Sequence, residues 1–196
     1  MKDEIQNTLQ SSASLTDLLS GNESYLEKVC EAVFMITRCY EHGGKVLLCG
    51  NGGSAADAQH LAAELSGKFY FDRPPLYAEA LHCNTSFITA VANDYSFDHV
   101  YQRMVQAAGN RNDVLIAFST SGSSKNIIKA LQEAKKIKMH TIGLTGQSSG
   151  KMAALCDIII NIPSNDTPRI QEAHIMTGHI ICEWVEKNIF GNEKKF

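Results

Sequence analysis

The chain has 196 residues, 44% hydrophobic, 8% aromatic and 20% charged, which is one domain's worth of sequence with enough apolar material to bury a core. Its 14 glycines and 4 prolines are ordinary usage and exclude collagen-like and low-complexity chains. Eighteen basic against 21 acidic residues leave a formal charge of −3, the wrong sign for a protein that coats nucleic acid, while a local anion site stays open. The six cysteines (Cys30, Cys39, Cys49, Cys83, Cys156 and Cys182) form no CxxC pair. No apolar segment follows Lys2, so no signal peptide is expected. No run approaches the ~18 to 20 apolar residues that cross a bilayer. Reduced thiols in a cytoplasmic protein are the expectation, with Cys49 and Cys83 as small buried hydrophobes.

Residues 3–42 read as two helices broken at Ser20-Gly21-Asn22, where glycine ends one and asparagine caps the next. Leu26, Val29, Val33, Ile36 and Tyr40 give the second helix an apolar face, and Gly43-Gly44 stops it. Strands are predicted over 45–49, 77–81, 114–118, 141–144 and 158–162, several of them apolar at successive positions. Helical segments are predicted between and after them, over 54–66, 86–108, 124–137, 149–155 and 168–190. The alternation predicts an α/β fold, a parallel sheet with helices on both sides. Ligands of such sheets bind at the carboxyl ends of the strands, so the loops there carry the functional expectation.

The loop after the first strand is Cys49-Gly50-Asn51-Gly52-Gly53-Ser54. Its glycines let backbone approach a ligand at a helix start. Equally, it reads as a tight turn capped by Asn51 or Ser54. It is neither a dinucleotide GxGxxG nor a Walker loop. The loop after the third strand, Ser119-Thr120-Ser121-Gly122-Ser123-Ser124, places five hydroxyls around one glycine at a helix start. A cap needs one serine; a phosphate dianion wants many donors and a positive helix end, so this loop predicts phosphate binding.

His60 and Glu64 stand four apart, on one helix face. They suit a shared metal ion or substrate, or an ordinary polar pair. In the last helix, at ~100° per residue, His179 lies about 80° from Gln171 and His174 about 60° to its other side. Geometry alone does not choose between them. His42, His82, His99 and His140 have no partner pattern and read as structural. Lys135, Lys136 and Lys138 read as a solvated helix end, and Trp184 and Phe190 as core or subunit packing.

With these residues in hand, the run 43–54, His60 with Ala63-Glu64-Leu65, Asn93-Asp94, Ser119-Thr120-Ser121-Gly122 and Arg169-Ile170-Gln171-Glu172 with His179 resembles the bacterial phosphoheptose isomerase family. The match runs in order over essentially the whole chain. The resemblance implies one sugar-isomerase (SIS) domain over 1–196, a flavodoxin-like three-layer αβα sandwich with a five-stranded parallel sheet, with 1–42 as an N-terminal helical pair. It implies aldose–ketose isomerisation of sedoheptulose 7-phosphate to D-glycero-D-manno-heptose 7-phosphate, the first step toward lipopolysaccharide-core heptose, in the cytoplasm. It implies one zinc ion per subunit on His60, Glu64, Gln171 and His179, with Glu64 and His179 as the acid–base pair. Asn51, Gly52, Gly53, Ser54, Glu64, Asn93, Asp94, Ser119, Thr120, Ser121, Ser124 and Gln171 would contact substrate. The family is tetrameric with active sites at subunit interfaces, which would let His179 come from a neighbouring chain; no nucleic-acid or membrane partner is implied. Two positions depart from the pattern: Lys68 where some members have arginine, and Pro168 where some carry an acid.

The rival is a non-catalytic SIS-domain protein that associates with the replication initiator. Those relatives share the glycine loop and the Arg-Ile-Gln-Glu run but lack the equivalents of Glu64 and His179. A phosphosugar-sensing regulator would want an attached DNA-binding segment, for which 196 residues leave no room.

Overall fold

Every residue of β1 (Val46–Cys49) and β3 (Val114–Phe118) is buried, as strands covered on both faces must be. The computed structural model describes residues 1–191. Its five strands, with β2 (Ala78–Ala80), β4 (His140–Thr145) and β5 (Ile158–Asn161), pair in parallel in the order β2-β1-β3-β4-β5. The pleat sends Val46, Leu48, Val114, Ile116 and Phe118 to one face, and Leu47, Cys49, Leu115 and Ala117 to the other.

The first face is covered by α2 (Glu23–Glu41), α3 (Gly53–Ser66) and α7 (Thr167–Phe190). The second is covered by α4 (Thr85–Asp94), α5 (Val100–Ala108) and α6 (Lys125–Lys136). This is the expected three-layer αβα sandwich, in the flavodoxin-like strand order.

The two N-terminal helices form as expected. α1 (Lys2–Ser20) ends at Gly21, and the Asn22 side chain accepts from the Tyr25 N–H (3.1 Å) to start α2. Val29, Val33 and Ile36 are buried, whereas Leu26 falls outside the face and is 41% exposed. α1 buries only Leu19. Polar contacts tie it to α7: Ser12 donates to Glu172 (2.9 Å), and Arg169 to the Thr8 carbonyl (3.0 Å).

Three expectations are corrected. The helix expected over 86–108 is two helices, broken at Tyr95 and extended Ser96 and joined by a 3₁₀ turn, Phe97–His99. Val91 and Val100 are nine residues apart, about 180° out of phase on one continuous helix. The break lets both enter the same core. The segment over 149–155 is a 3₁₀ turn, Gly150–Ala154. Cys49 is buried as expected, but Cys83, in the turn after β2, is exposed. Strand ends move by one residue or so: β1 and β2 begin one residue later than read, and β4 runs one residue further at each end.

Candidate active site

β1 and β3 are neighbours, yet their following helices cover opposite faces: α3 contributes Ala58, Leu61 and Leu65 to one core, and α6 contributes Ile127, Leu131 and Ala134 to the other. Where helices part in this way a crevice opens at the carboxyl ends of the two strands. The glycine loop and the hydroxyl loop therefore stand side by side. Asn51 and Asn126 bridge them through two reciprocal amide hydrogen bonds of 2.9 and 2.8 Å. Asn126 is buried in the first turn of α6. Its pairing joins residues 75 apart and leaves no local pattern in the sequence.

Neither Asn51 nor Ser54 caps α3. The N-cap is Gly52, at φ +57°, a region open to glycine and strained for other residues. The Asn51 amide is spent across the crevice, and Ser54 is buried. From beneath, the buried Tyr101 hydroxyl donates to the Gly50 carbonyl and anchors the loop.

In the hydroxyl loop the Ser119 Oγ lies 3.2 Å from the Ser124 Oγ and 3.5 Å from the Ser121 Oγ. Three hydroxyls thus converge at the amino end of α6, and Ser124, its N-cap residue, makes no side-chain capping bond. Thr120 uses its carbonyl to accept from the Gly146 N–H (3.0 Å), which docks the loop on the end of β4.

On the other side of the glycine loop, His60 and Glu64 of α3 meet His179 of α7. The two histidine Nε2 atoms are 2.9 Å apart, and His60 Nε2 is 3.3 Å from Glu64 Oε1. All three belong to this one chain, which brings them together without a neighbour. The reason is Gly178: a Cβ there would lie 2.3 Å from a Leu61 methyl, and its absence lets α7 approach α3 closely. His174 is excluded. It is buried against Phe118, its Nε2 donates to the Thr145 carbonyl (3.2 Å), and burial pushes its pKa down to about 4.

Gln171 reaches the glycine loop, its amide nitrogen 2.7 Å from where a Gly53 Cβ would stand. Asn93 and Asp94, exposed at the end of α4, hydrogen-bond each other (2.9 Å) and, among the described residues, neither loop. Lys68 is exposed just beyond α3, and Pro168 sits in the first turn of α7. Sequence reasoning missed Asp57, one turn before His60. One of its carboxylate oxygens is buried without a hydrogen-bond partner, and burial, opposed by His60, pushes its pKa up to about 6. Its spacing of three from His60 and seven from Glu64 was the available signal.

His60, Glu64 and His179 suit a metal ion. Two imidazole nitrogens and one carboxylate oxygen lie within 4.8 Å of one another, and tetrahedral zinc holds its ligands at ~2.0–2.2 Å and so roughly 3.3 Å apart. Among the described residues no helix is long and apolar enough to cross a membrane.

The SIS domain family model matches residues 10–146. A phosphoheptose isomerase of Aneurinibacillus thermoaerophilus is 48% identical over 193 residues, 98% of either chain. One from Rhodospirillum rubrum is 49% identical, covering 95% of this chain and 97% of that one. The chain belongs to the phosphoheptose isomerase family. The solved phosphoheptose isomerase of Neisseria gonorrhoeae superposes with a TM-score of 0.89 at 40% identity, over 95% of this chain and 98% of that one. The SIS match stops before α7, so Gln171 and His179 lie outside it. The full-length phosphoheptose isomerases extend across that helix.

Proposed function

We propose that the chain isomerises sedoheptulose 7-phosphate to D-glycero-D-manno-heptose 7-phosphate, a ketose-to-aldose conversion through an enediolate. The observation that carries this reading is that the helix after β1 brings His60 and Glu64 to His179, while the loop after the neighbouring β3 brings together three serine hydroxyls. One end offers proton-transfer groups; the other suits a phosphate.

Ser119, Ser121 and Ser124 hold the phosphate at the amino end of α6. Asn51, Gly52, Gly53, Ser54, Thr120 and Gln171 line the sugar, with Asn93 and Asp94 at the end of α4 as further contacts. Binding energy from the remote phosphate orients the reacting carbons. The Glu64 carboxylate takes a proton from C1, the C1–H electrons become the C1–C2 double bond, and His179 protonates the carbonyl oxygen on C2. Return of a proton to C2 and loss of one from the C1 hydroxyl leave the aldehyde. A positioned acid or base contributes about 10²–10⁴-fold.

His60, Glu64 and His179, with Gln171 as a fourth, would hold one zinc ion per subunit, and Glu64 and His179 carry protons only when free of it. When bound, that ion would polarise a carbonyl or hydroxyl oxygen of the sugar. The exposed apolar residues of the N-terminal helices, Ile5, Leu9, Leu18 and Phe34, favour a homotetramer, with substrate contacts completed across subunits. A phosphosugar substrate places the enzyme in the cytoplasm. The test is incubation with sedoheptulose 7-phosphate, with and without chelator, followed by detection of the aldose. Product that falls with chelator supports the whole reading. No product from folded, zinc-loaded protein overturns it.

A further inference from the structure

Behind the proton-transfer cluster lies a second charged pair that the chemistry does not use. Glu186 of α7 is fully buried. Its carboxylate accepts the backbone N–H groups of Phe69 (3.1 Å), Tyr70 (2.7 Å) and Phe71 (3.1 Å), and the Arg73 Nε at 2.8 Å. Arg73 directs its other donors to the end of α3, on the carbonyls of Glu64 (3.0 Å), Leu65 (2.8 Å) and Gly67 (3.0 Å), and to the Pro74 carbonyl (3.2 Å). A guanidinium there satisfies the last carbonyls of a helix and sits at the negative end of its dipole.

Both partners lead back to the site. Glu186 is seven residues after His179, two turns on, along the same face of α7. Arg73 grips the backbone of Glu64 itself. The three amides held by Glu186 belong to the strap over 67–73, and that strap lays the Phe69 ring on the His179 imidazole, with centroids 5.8 Å apart and planes inclined by 27°. His179 also meets the His60 ring in an edge geometry, with centroids 5.1 Å apart, planes inclined by 70° and the two Nε2 atoms 2.9 Å apart. One histidine thus touches both a ring that the strap positions and a ring that α3 positions.

We propose that the ion pair of Arg73 and Glu186, acting through Phe69, is a positioning device that fixes the orientation of the His179 ring relative to Glu64. Arg73, Glu186 and Phe69 are positioning residues and touch no substrate. The need is physical. A lone imidazole on a helix turns about its χ2 with little preference, whereas proton transfer requires groups held to within about 0.5 Å. A buried ion pair is weak evidence for stability in itself, since desolvation offsets much of the attraction. Here it has a geometric consequence, because one carboxylate determines where three consecutive residues of the strap lie.

The proposal rests on the isomerase reading for its rate measurement and has a second readout that does not. Phe69→Leu keeps the backbone N–H to Glu186 and most of the apolar volume while removing the ring. It should shift the His179 ring signals in ¹H–¹³C spectra of histidine-labelled protein, because a stacked aromatic ring no longer lies over them. It should also lower kcat on sedoheptulose 7-phosphate at least about tenfold, with KM within about threefold, since the phosphate grip lies elsewhere. Phe69→Tyr should restore both. Arg73→Lys, which cannot serve Glu186 and the α3 carbonyls together, should move both readouts in the same direction. If that variant fails to fold, Phe69→Leu decides alone. An unchanged His179 signal overturns the proposal; so does an unchanged kcat, or a KM that rises in step with the fall in kcat. If the unaltered protein shows no turnover of this sugar, the isomerase reading fails, and the His179 signal in Arg73→Lys, which keeps the Phe69 ring in the chain, still decides whether the pair positions the ring.

Discussion

Glu64 and Glu186 sit on the same seam between α3 and α7, and they are opposite in kind. Glu186 is sealed, its side chain 1% exposed, and holds three backbone amides and a guanidinium. Glu64 is more open, its side chain 23% exposed, with His60 at 3.3 Å and a His179 ring nitrogen within 4.8 Å of its carboxylate. Burial alone would raise the Glu186 carboxyl. Its hydrogen bonds to Tyr70, Phe69, Arg73 and Phe71 outweigh that and keep it below the ordinary carboxylate range. A carboxylate whose lone pairs are all engaged holds structure; one left under-coordinated beside two imidazoles can accept a proton or a metal ion. The difference lies in the partners, since residue type and helical environment are shared.

The largest expected effect is at Glu186. Glu186→Ala leaves Arg73 buried and unpaired and should cost about 3–5 kcal/mol in urea unfolding, whereas Glu64→Ala should change stability by less than about 1 kcal/mol. Equal losses would erase the distinction. On the catalytic side, His179→Gln should lower turnover at least about 10²-fold in a protein that unfolds at the unaltered urea concentration. Gly178→Ala probes the seam between them. The new methyl group meets Leu61, and overpacking of this kind costs about 1–3 kcal/mol. It should also weaken zinc retention, measured by equilibrium dialysis, because His179 is pushed away from His60. Ser124→Ala removes one hydroxyl donor and no proton-transfer group, so KM should rise roughly fivefold, the equivalent of about 1 kcal/mol, with kcat nearly unchanged. The smallest effect is with pH. A carboxyl held below its unfolded pKa contributes stability that is complete above that value and is lost as pH falls through the folded one. Thermal stability should therefore decline below about pH 4.5, and Glu186→Gln should flatten that decline.

Much of the open side was legible in the sequence, and little of the sealed side was. The strand-end loops announce themselves locally, as three glycines within four positions and five hydroxyls around one glycine. His60 and Glu64 share a helix face by spacing alone. His179 was separated from His174 by resemblance; the structure does it by packing, since α7 turns His174 into the core against Phe118. The Glu186 network joins residues more than a hundred positions apart. Three of its four donors to the carboxylate are backbone amides, which carry no side-chain signature. The pairing of Asn51 with Asn126 was hidden by distance along the chain, since its two side chains are 75 positions apart. The break at Tyr95 was invisible because neither glycine nor proline marks it. Only the demand that Val91 and Val100 enter one core imposes it.

In the proposed reaction Glu64 is the base and the hydroxyl loop the grip. Glu64→Gln keeps the side chain's size and hydrogen-bonding capacity and removes its basicity. Turnover of sedoheptulose 7-phosphate is to be measured alongside binding of the same sugar phosphate by calorimetry, with zinc content assayed in the same preparation. Turnover should fall by at least about 10²-fold, with a dissociation constant within about threefold of the unaltered protein. Near-normal turnover in folded Glu64→Gln with unchanged metal would contradict that assignment.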